Sequence, residues 1–120
     1  MKELSLQIQS FESFIEGALA AGRRLDKGQR TATKGKLVFE SLEGLLRLLT
    51  ANRWALLSAL RKRGPSSIRA LSKTLARDYR GVHADVAALI EAGLIVRDQQ
   101  AKISVPWARI TAQMDLDAAA

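Results

Sequence analysis

The chain has 120 residues, no cysteine and one histidine, with 19 lysines and arginines against 12 acidic residues. This length fits one small domain with an arm, and the lack of cysteine excludes disulfides and cysteine-based metal or redox sites. We find no apolar run of membrane-spanning length and no signal-peptide core, so we expect a cytoplasmic protein that binds no membrane. The net charge of +7 favours a polyanionic partner without identifying one.

The positive charge is concentrated in two stretches. Residues 61–80 hold seven cationic side chains against Asp78, and residues 23–36 hold six against Asp26. The segment 85–117 is mildly acidic, with five carboxylates against three cations. Each basic cluster is either a solvated face or a contact for a polyanion, and the scaffold that carries it decides between the two.

The N-terminal part of the chain predicts a strand, a helix and a second strand. Apolar and polar residues alternate over residues 2–8, which is typical of a half-buried strand. An apolar stripe over 11–27 predicts a helix that begins after Ser10 and ends at Gly28. Residues 36–39 predict a second short strand.

Two short helices follow over residues 41–63. Thr50 is suited to cap the second of them, because its hydroxyl can accept a hydrogen bond from the first turn. Gly64 and Pro65 end this helix, since glycine adopts the left-handed terminating conformation and proline cannot continue a helix.

Two further helices are separated by a short polar turn. The first begins after Ser66 or Ser67 and runs to about Ala76, with apolar residues at helical spacing. The second begins near Gly81 and occupies residues 82–92, where four apolar side chains again follow helical spacing.

The rest of the chain predicts a hairpin and one short helical segment. Two β-rich runs, 94–98 and 102–105, flank the polar connector Gln99–Ala101 and are typical of a hairpin. Pro106 ends the second strand, because proline cannot donate to a strand ladder. We expect residues 107–114 to form a helical turn or short helix.

The order of helix, helix, turn, helix and hairpin over residues 51–105 is that of a winged helix-turn-helix. We therefore predict a mainly α fold with a small β component. Residues 1–40 form a strand–helix extension, residues 41–114 form the winged helix-turn-helix domain, and the tail 115–120 frays.

The stretch from Arg69 to Asp98 resembles the MarR-type winged-helix regulators. It is similar in particular to a group of prokaryotic DNA-binding proteins whose shared sequence pattern ends in Val-Pro-Trp. The matching residues are Leu75, Arg77, Asp78, Tyr79, Val82, Asp85, Leu89, Gly93, Leu94, Ile95, Val105, Pro106 and Trp107. The resemblance covers roughly residues 36–114 and implies a DNA-binding winged helix. Some members of the group are antitoxins and autorepressors, so the resemblance also admits a cognate toxin as partner.

The resemblance departs from the usual pattern at the hairpin tip. Such hairpins usually contain glycine at the tip, whereas this chain has Gln99–Ala101. The sequence therefore does not predict a tight turn there, although Arg97 and Lys102 flank the tip and can touch phosphate.

In a helix-turn-helix bound to DNA, the second helix enters the major groove and the first helix crosses the sugar-phosphate backbone. The exposed face of the second helix holds Arg80, His83, Ala84 and Ala87. The two alanines allow the helix to approach the DNA groove closely. The predicted DNA contacts are Ser67, Arg69, Lys73, Arg77, Tyr79, Arg80, His83, Ala84, Arg97 and Lys102. His83 is either such a contact or an ordinary surface histidine. No nucleophile accompanies it, so we expect no catalysis, no metal site and no cofactor.

Four other residues have structural interpretations. Asp78 and Asp85 lie near the predicted helix start, where negative charge is favourable, and Asp78 is expected to pair with a neighbouring arginine. Trp54 and Trp107 are expected to be core or domain-edge anchors. The alternative, stacking on bases, needs several interleaved aromatic residues that this chain does not have.

The predicted N-terminal helix has an apolar stripe that a minimal winged helix does not use. A second copy, a partner protein, or the chain's own domain would cover it. The predicted dimerisation residues are Leu4, Leu6, Phe11, Phe14, Ile15 and Leu19. We predict a sequence-specific transcriptional regulator, a repressor, that binds double-stranded DNA as a homodimer. The alternative is an antitoxin or other protein-interaction module whose N-terminal region binds a partner protein, with autoregulatory DNA binding secondary.

Overall fold

The computed structural model describes residues 2–8, 19 and 34–114, and this part of the chain combines helices with small sheets. In chain order its elements are β1 (Glu3–Ile8), β2 (Lys34–Phe39), α1 (Leu42–Leu48), α2 (Ala51–Arg63), α3 (Ile68–Leu75), α4 (Tyr79–Glu91), β3 (Val96–Arg97), β4 (Ile103–Ser104) and β5 (Arg109–Ala112). The fold is therefore mixed α and β. None of the described helices combines the length and the apolar character that a membrane span requires.

The chain divides into two units. The sheet unit comprises residues 1–46 and 107–120, and the helical unit comprises residues 47–106. These limits differ from the predicted boundaries, because the segment after Pro106 pairs with β1 instead of completing the helical unit. The helical turn predicted over 107–114 is wrong, since this segment contains strand β5.

Three parallel strands form the sheet in the order β2-β1-β5. Leu4 lies opposite Gly35 and Ile110, and Leu6 continues the same face two residues later, so one face of the sheet is apolar. Leu4 is 6% exposed and Leu6 is fully buried. The predicted strand over residues 2–8 and its apolar face are confirmed.

The same burial corrects the predicted dimerisation surface. Leu4 and Leu6 are covered within their own chain, so they are not available to a second copy. Leu19 is helical and 58% exposed. Three further residues of this prediction lie outside the described residues, namely Phe11, Phe14 and Ile15. The same holds for the rest of the predicted helix over 11–27 and for the tail 115–120.

Side-chain caps mark the starts of α2 and α3 in the helical unit. The Thr50 hydroxyl accepts a hydrogen bond from the third following N–H at 3.2 Å, and α2 ends at Gly64, which has a φ of +83°. The Ser67 hydroxyl accepts in the same way at 3.1 Å at the start of α3. These boundaries confirm the prediction and identify Ser67, rather than Ser66, as the cap.

Helix α4 begins earlier than predicted. It starts at Tyr79 instead of near Gly81, with Asp78 as its N-cap residue. The chain leaves α3 through Ala76, which adopts the left-handed conformation at φ 53°. A non-glycine residue rarely does so, and the sequence therefore gives no sign of such a short connection. Tyr79 and Arg80 consequently belong to the first turn of α4.

The core of the helical unit is built from apolar side chains of its helices and of the hairpin that follows them. Its buried members are Leu56, Leu57, Leu60, Ile68, Leu71, Val82, Val86, Leu89, Leu94, Ile95 and Ile103. Strands β3 and β4 pair antiparallel, which confirms the predicted hairpin. Ile103 also exchanges backbone hydrogen bonds of 3.0 and 2.7 Å with Ser66, so the entrance to α3 is joined to the hairpin.

The hairpin tip closes without glycine. The Asp98 Oδ1 atom accepts hydrogen bonds from the backbone N–H groups of Gln100 at 2.8 Å and Lys102 at 3.0 Å. Ala101 adopts the left-handed conformation at φ 62°. A side-chain carboxylate and a strained alanine thus make the tight turn that the sequence did not predict.

Candidate nucleic-acid interface

The helical unit carries the whole net charge of the chain. It contains 11 lysines and arginines against four acidic residues, a net charge of +7, whereas the sheet unit contains eight of each. The predicted basic cluster over residues 61–80 lies in the helical unit. The cluster over 23–36 falls mostly outside the described residues, in the unit without net charge. A polyanion is therefore attracted to the helical unit.

Arg69, Tyr79 and His83 lie together on the surface formed by α3 and α4. The Arg69 guanidinium carbon lies 5.0 Å from the centroid of the Tyr79 ring. The His83 ring centroid is 5.8 Å from the same ring, with the planes tilted by 45°. The cation–π contact with Tyr79 orients the Arg69 guanidinium. No carboxylate in the described part of the chain pairs with Arg69, so its positive charge is not compensated.

The outer face of α4 is exposed as the sequence predicts. Arg80 lies three residues before His83 and four before Ala84, and Ala87 follows these two by four and three residues, so all four share one face, and all four are exposed. The two alanines leave the helix backbone open to close approach by a ligand. A cation, an imidazole and a small-residue surface therefore share one side of the helix.

Arg77 is not free to contact a ligand, which corrects the prediction for this residue. Its Nη2 atom donates to the Asp85 carboxylate at 2.9 Å, and its Nη1 atom is buried without a hydrogen-bond partner. The side chain folds back over Gly81, where an added Cβ would lie 3.4 Å from Nη2. The side chain of Arg77 therefore joins the turn before α4 to the middle of that helix.

Asp85 also accepts a hydrogen bond from the Arg53 Nε atom at 3.0 Å. The Arg53 Nη1 atom donates to the backbone carbonyls of Arg47 at 3.3 Å and Leu48 at 3.0 Å. One carboxylate thus joins α4 to α2 and to the turn before α4. Sequence reasoning missed Arg53, because its partner lies 32 residues away and no local pattern connects the two.

The roles predicted for Asp78 and Asp85 change accordingly. Asp85 lies in the middle of α4, where it binds two arginines instead of interacting with the helix dipole. Asp78 is the N-cap residue of α4, yet its carboxylate makes no capping hydrogen bond. The expected pairing of Asp78 with a neighbouring arginine is not found among the described residues, and Arg77 pairs with Asp85 instead.

The other predicted contact residues are divided between α3 and the hairpin. Lys73 is exposed one turn after Arg69, so both cations lie on the same side of α3. Ser67 is exposed, but its hydroxyl is occupied in capping α3. Arg97 and Lys102 are exposed on either side of the hairpin tip.

The two tryptophans differ from each other. Trp54 is 45% exposed on α2, so it is not a core residue. Trp107 is half-buried in the sheet unit and lies against Gly35, with its Cη2 atom 2.7 Å from the position that a Cβ would occupy. The structure therefore confirms an anchoring role for Trp107 alone.

Residues 48–112 match the model of the protein family HVO_A0114. The matched 65 residues, 48 through 112, are more than half of the chain and include every residue of the candidate interface on α3, α4 and the hairpin. Comparisons with curated proteins and with solved structures gave no match. Within the part of the chain that the structure describes, no cluster of three histidine or acidic side chains could hold a metal ion. By its match over residues 48–112, the chain belongs to the HVO_A0114 family.

Proposed function

We propose that this protein is a sequence-specific double-stranded DNA-binding transcriptional regulator, a repressor, built on a winged helix-turn-helix. The order of α2, α3, α4 and the β3–β4 hairpin supports this assignment. The bridge between Ser66 and Ile103 supports it further, because it pairs the residue before the α3 cap with strand β4 of the hairpin. In this assignment α4 is the recognition helix, α3 is the helix that crosses the DNA backbone, and the hairpin is the wing.

The observation that carries the proposal is the cluster of Arg69, Tyr79 and His83 beside the outer face of α4. The Arg69 guanidinium is held in place by stacking on Tyr79, and no carboxylate among the described residues pairs with it. The cluster lies on the helical unit, which holds all of the net charge. Arg69 and Tyr79 are assigned to phosphate contacts, which position the protein. Arg80 and His83 are assigned to base edges in the major groove.

The remaining exposed cations extend this surface. Lys73 lies on the same side of α3 as Arg69 and is assigned to the phosphate backbone. Arg97 and Lys102 flank the tip of the wing and are assigned to phosphates beside the site read by α4. Arg77 is left out of the contact set, because its guanidinium is bound to Asp85.

We assign dimerisation to the sheet unit, since it has no net charge to offer a polyanion. Two copies then present α4 to two half-sites about one helical turn apart on the DNA. Leu42 and Leu46 support this assignment, because they lie one turn apart on α1 and are 44% and 51% exposed. Light scattering of the purified protein tests it: the wild type should be a dimer and Leu46→Glu a monomer.

Selection of bound sequences from a random duplex library tests the DNA-binding proposal directly. We expect one enriched motif with two half-sites. Arg80→Ala should weaken binding to that motif by about 1–3 kcal/mol and relax the preference at one position of each half-site. Arg109→Ala, an exposed arginine in the sheet unit, is the matched control and should leave binding unchanged. An unenriched library, or equal affinities of Arg80→Ala and wild type at fixed salt, would contradict the proposal.

A second candidate is a protein-interaction module of the antitoxin type, in which the sheet unit binds a partner protein and DNA binding is secondary. The exposed Leu42 and Leu46 favour it as well, because neighbouring apolar side chains on a surface mark protein contacts. Co-expression with the product of the adjacent gene separates the two candidates. A stoichiometric complex that Leu46→Glu abolishes supports the second candidate, and a protein that elutes alone as a dimer contradicts it.

A further inference from the structure

A second cationic surface lies on the helical unit, in an open groove of about 600 Å³ between α2 and α3. The groove is lined by Ala55, Ser58, Ala59, Lys62, Arg63 and Thr74. Its floor consists of three small side chains from one face of α2, and its rim carries two cations. No carboxylate is among the lining residues. The groove therefore has both the room and the charge for an anionic group.

Arg63 is held at this rim by neutral partners. Its Nε atom donates to the Ser66 hydroxyl at 3.1 Å and its Nη1 atom to the Thr74 hydroxyl at 3.0 Å. Those hydroxyls in turn donate to the backbone carbonyls of Ser67 at 2.9 Å and Ala70 at 3.1 Å, so they face Arg63 as acceptors. The guanidinium is consequently oriented while its positive charge remains uncompensated.

The groove continues the cationic surface of the candidate interface around α3. Lys73 belongs to the side of α3 that carries Arg69, and the next residue, Thr74, lines the groove. Lys62 is exposed beside Arg63 at the end of α2. Exposed cations therefore occur on α3, at Arg69 and Lys73, and at the end of α2, at Lys62 and Arg63. None of these four is paired with a carboxylate within the described residues.

We propose that this groove binds a backbone phosphate of the same DNA duplex, outside the segment read by α4. The proposal rests on the proposed function and extends its footprint. A phosphate fits the site because Arg63 offers the unused Nη2 donor of an oriented guanidinium, and Lys62 adds a second charge. Each phosphate that the groove neutralises adds a sequence-independent, salt-dependent contribution to affinity.

Binding of the full-length chain to two duplexes tests this proposal, one limited to the selected motif and one extended by flanking sequence. Lys62→Gln removes a groove charge, and Ser58→Asp adds a negative charge to the groove floor. Both positions are exposed, and neither substitution removes the hydrogen bonds of Arg63. Lys36→Gln is the matched control, because Lys36 is an exposed lysine in the sheet unit.

We expect the wild type and Lys36→Gln to bind the extended duplex more tightly than the short one. The two groove variants should gain less affinity from the extension than the wild type does, and they should keep the wild-type affinity for the short duplex. On the extended duplex, the slope of log K against log salt concentration should become shallower by about 0.9 for each phosphate that a variant no longer neutralises. Thermal melting confirms that each variant is folded.

The proposal is overturned if the groove variants keep the full gain from the extended duplex, or if the wild type shows no gain. Both results leave binding to the short duplex intact, so the proposed function survives them. Failure of the wild type to bind the short duplex contradicts the proposed function itself, and the groove proposal fails with it.

Discussion

The sheet unit and the helical unit differ most in net charge. The sheet unit has eight cations and eight carboxylates, whereas the helical unit has 11 cations and four carboxylates. The net charge of +7 is therefore a property of half the molecule. An overall charge says little about a binding surface until the fold assigns it to a place. Here the fold assigns the excess of cations to the unit that contains α2, α3, α4 and the hairpin.

The helical unit uses two of its few carboxylates internally. Asp85 binds Arg53 and Arg77, and Asp98 binds backbone N–H groups at the hairpin tip. Neither carboxylate pairs with Arg69, which stacks on Tyr79 and keeps its charge. The arrangement thus stabilises the unit while its outer surface remains cationic. The sheet unit is stabilised differently, by an apolar face and a close fit of Trp107 on Gly35.

Leu6→Ala is expected to have the largest effect on stability. Leu6 is fully buried on the apolar face of the sheet, so truncation leaves a cavity and costs about 2–5 kcal/mol in the free energy of unfolding. Urea denaturation measures this cost, with Thr111→Ala as an exposed strand control that should stay within about 0.5 kcal/mol of wild type. Affinity of the folded protein for duplex DNA should not change. A weaker affinity of the folded and still dimeric variant would contradict the assignment of the DNA contacts to the helical unit alone.

Asp85→Ala is expected to rank second, with a decrease of about 2–3 kcal/mol in the free energy of unfolding. It leaves two partly buried guanidinium groups without their carboxylate. Asp78→Ala is the matched control, because that carboxylate makes no capping hydrogen bond, and it should cost at most about 1 kcal/mol. Equal decreases for the two variants would show that the Asp85 network does not stabilise the helical unit.

Gly35→Ala should destabilise the sheet unit by about 1–3 kcal/mol, because the new Cβ would lie 2.7 Å from the Trp107 ring. Trp107→Phe removes the outer ring atoms responsible for this clash. The double variant Gly35→Ala/Trp107→Phe should therefore be destabilised by less than the sum of the two single effects. A double-mutant cycle from thermal or urea unfolding measures this coupling, and strict additivity would contradict the close fit.

Ala101→Gly is expected to have the smallest effect and the opposite sign. Ala101 adopts the left-handed conformation, which is strained for alanine and unstrained for glycine, so the substitution should stabilise the protein by up to about 1 kcal/mol. Ala84→Gly, at an exposed position inside α4, should instead destabilise it by about 1 kcal/mol. If both substitutions shift the unfolding midpoint in the same direction, the strain assigned to the hairpin tip is wrong.

Local patterns predicted much of the secondary structure. The alternation over residues 2–8 predicted β1, and Thr50 and Gly64 predicted the limits of α2. The exposure of Arg80 and His83 also followed from helical spacing within α4. Each of these features depends on residues within one or two turns of each other. Sequence reasoning therefore identified the helix and the side chains of the candidate interface.

Three features depended on contacts between distant residues and were missed. Strand β5 exists because residues 109–112 pair with β1, more than 100 positions earlier in the chain. Arg77 was predicted to contact DNA, but its guanidinium is paired with Asp85. The same carboxylate also binds Arg53 from another helix. Leu4 and Leu6 were predicted to face a second copy, but their own chain covers them.

By itself, the sequence determined the course of α2 and α3, the caps of these two helices and the excess of cations, because hydrogen bonding at helix ends and apolar periodicity are local. Only the tertiary structure decided which unit carries the net charge and which arginines remain available. Asp85 pairs with Arg53 and Arg77, whereas Arg69 stacks on Tyr79 and keeps its charge. Which of these cations pairs with a carboxylate depends on the packing of helices that bring distant residues together.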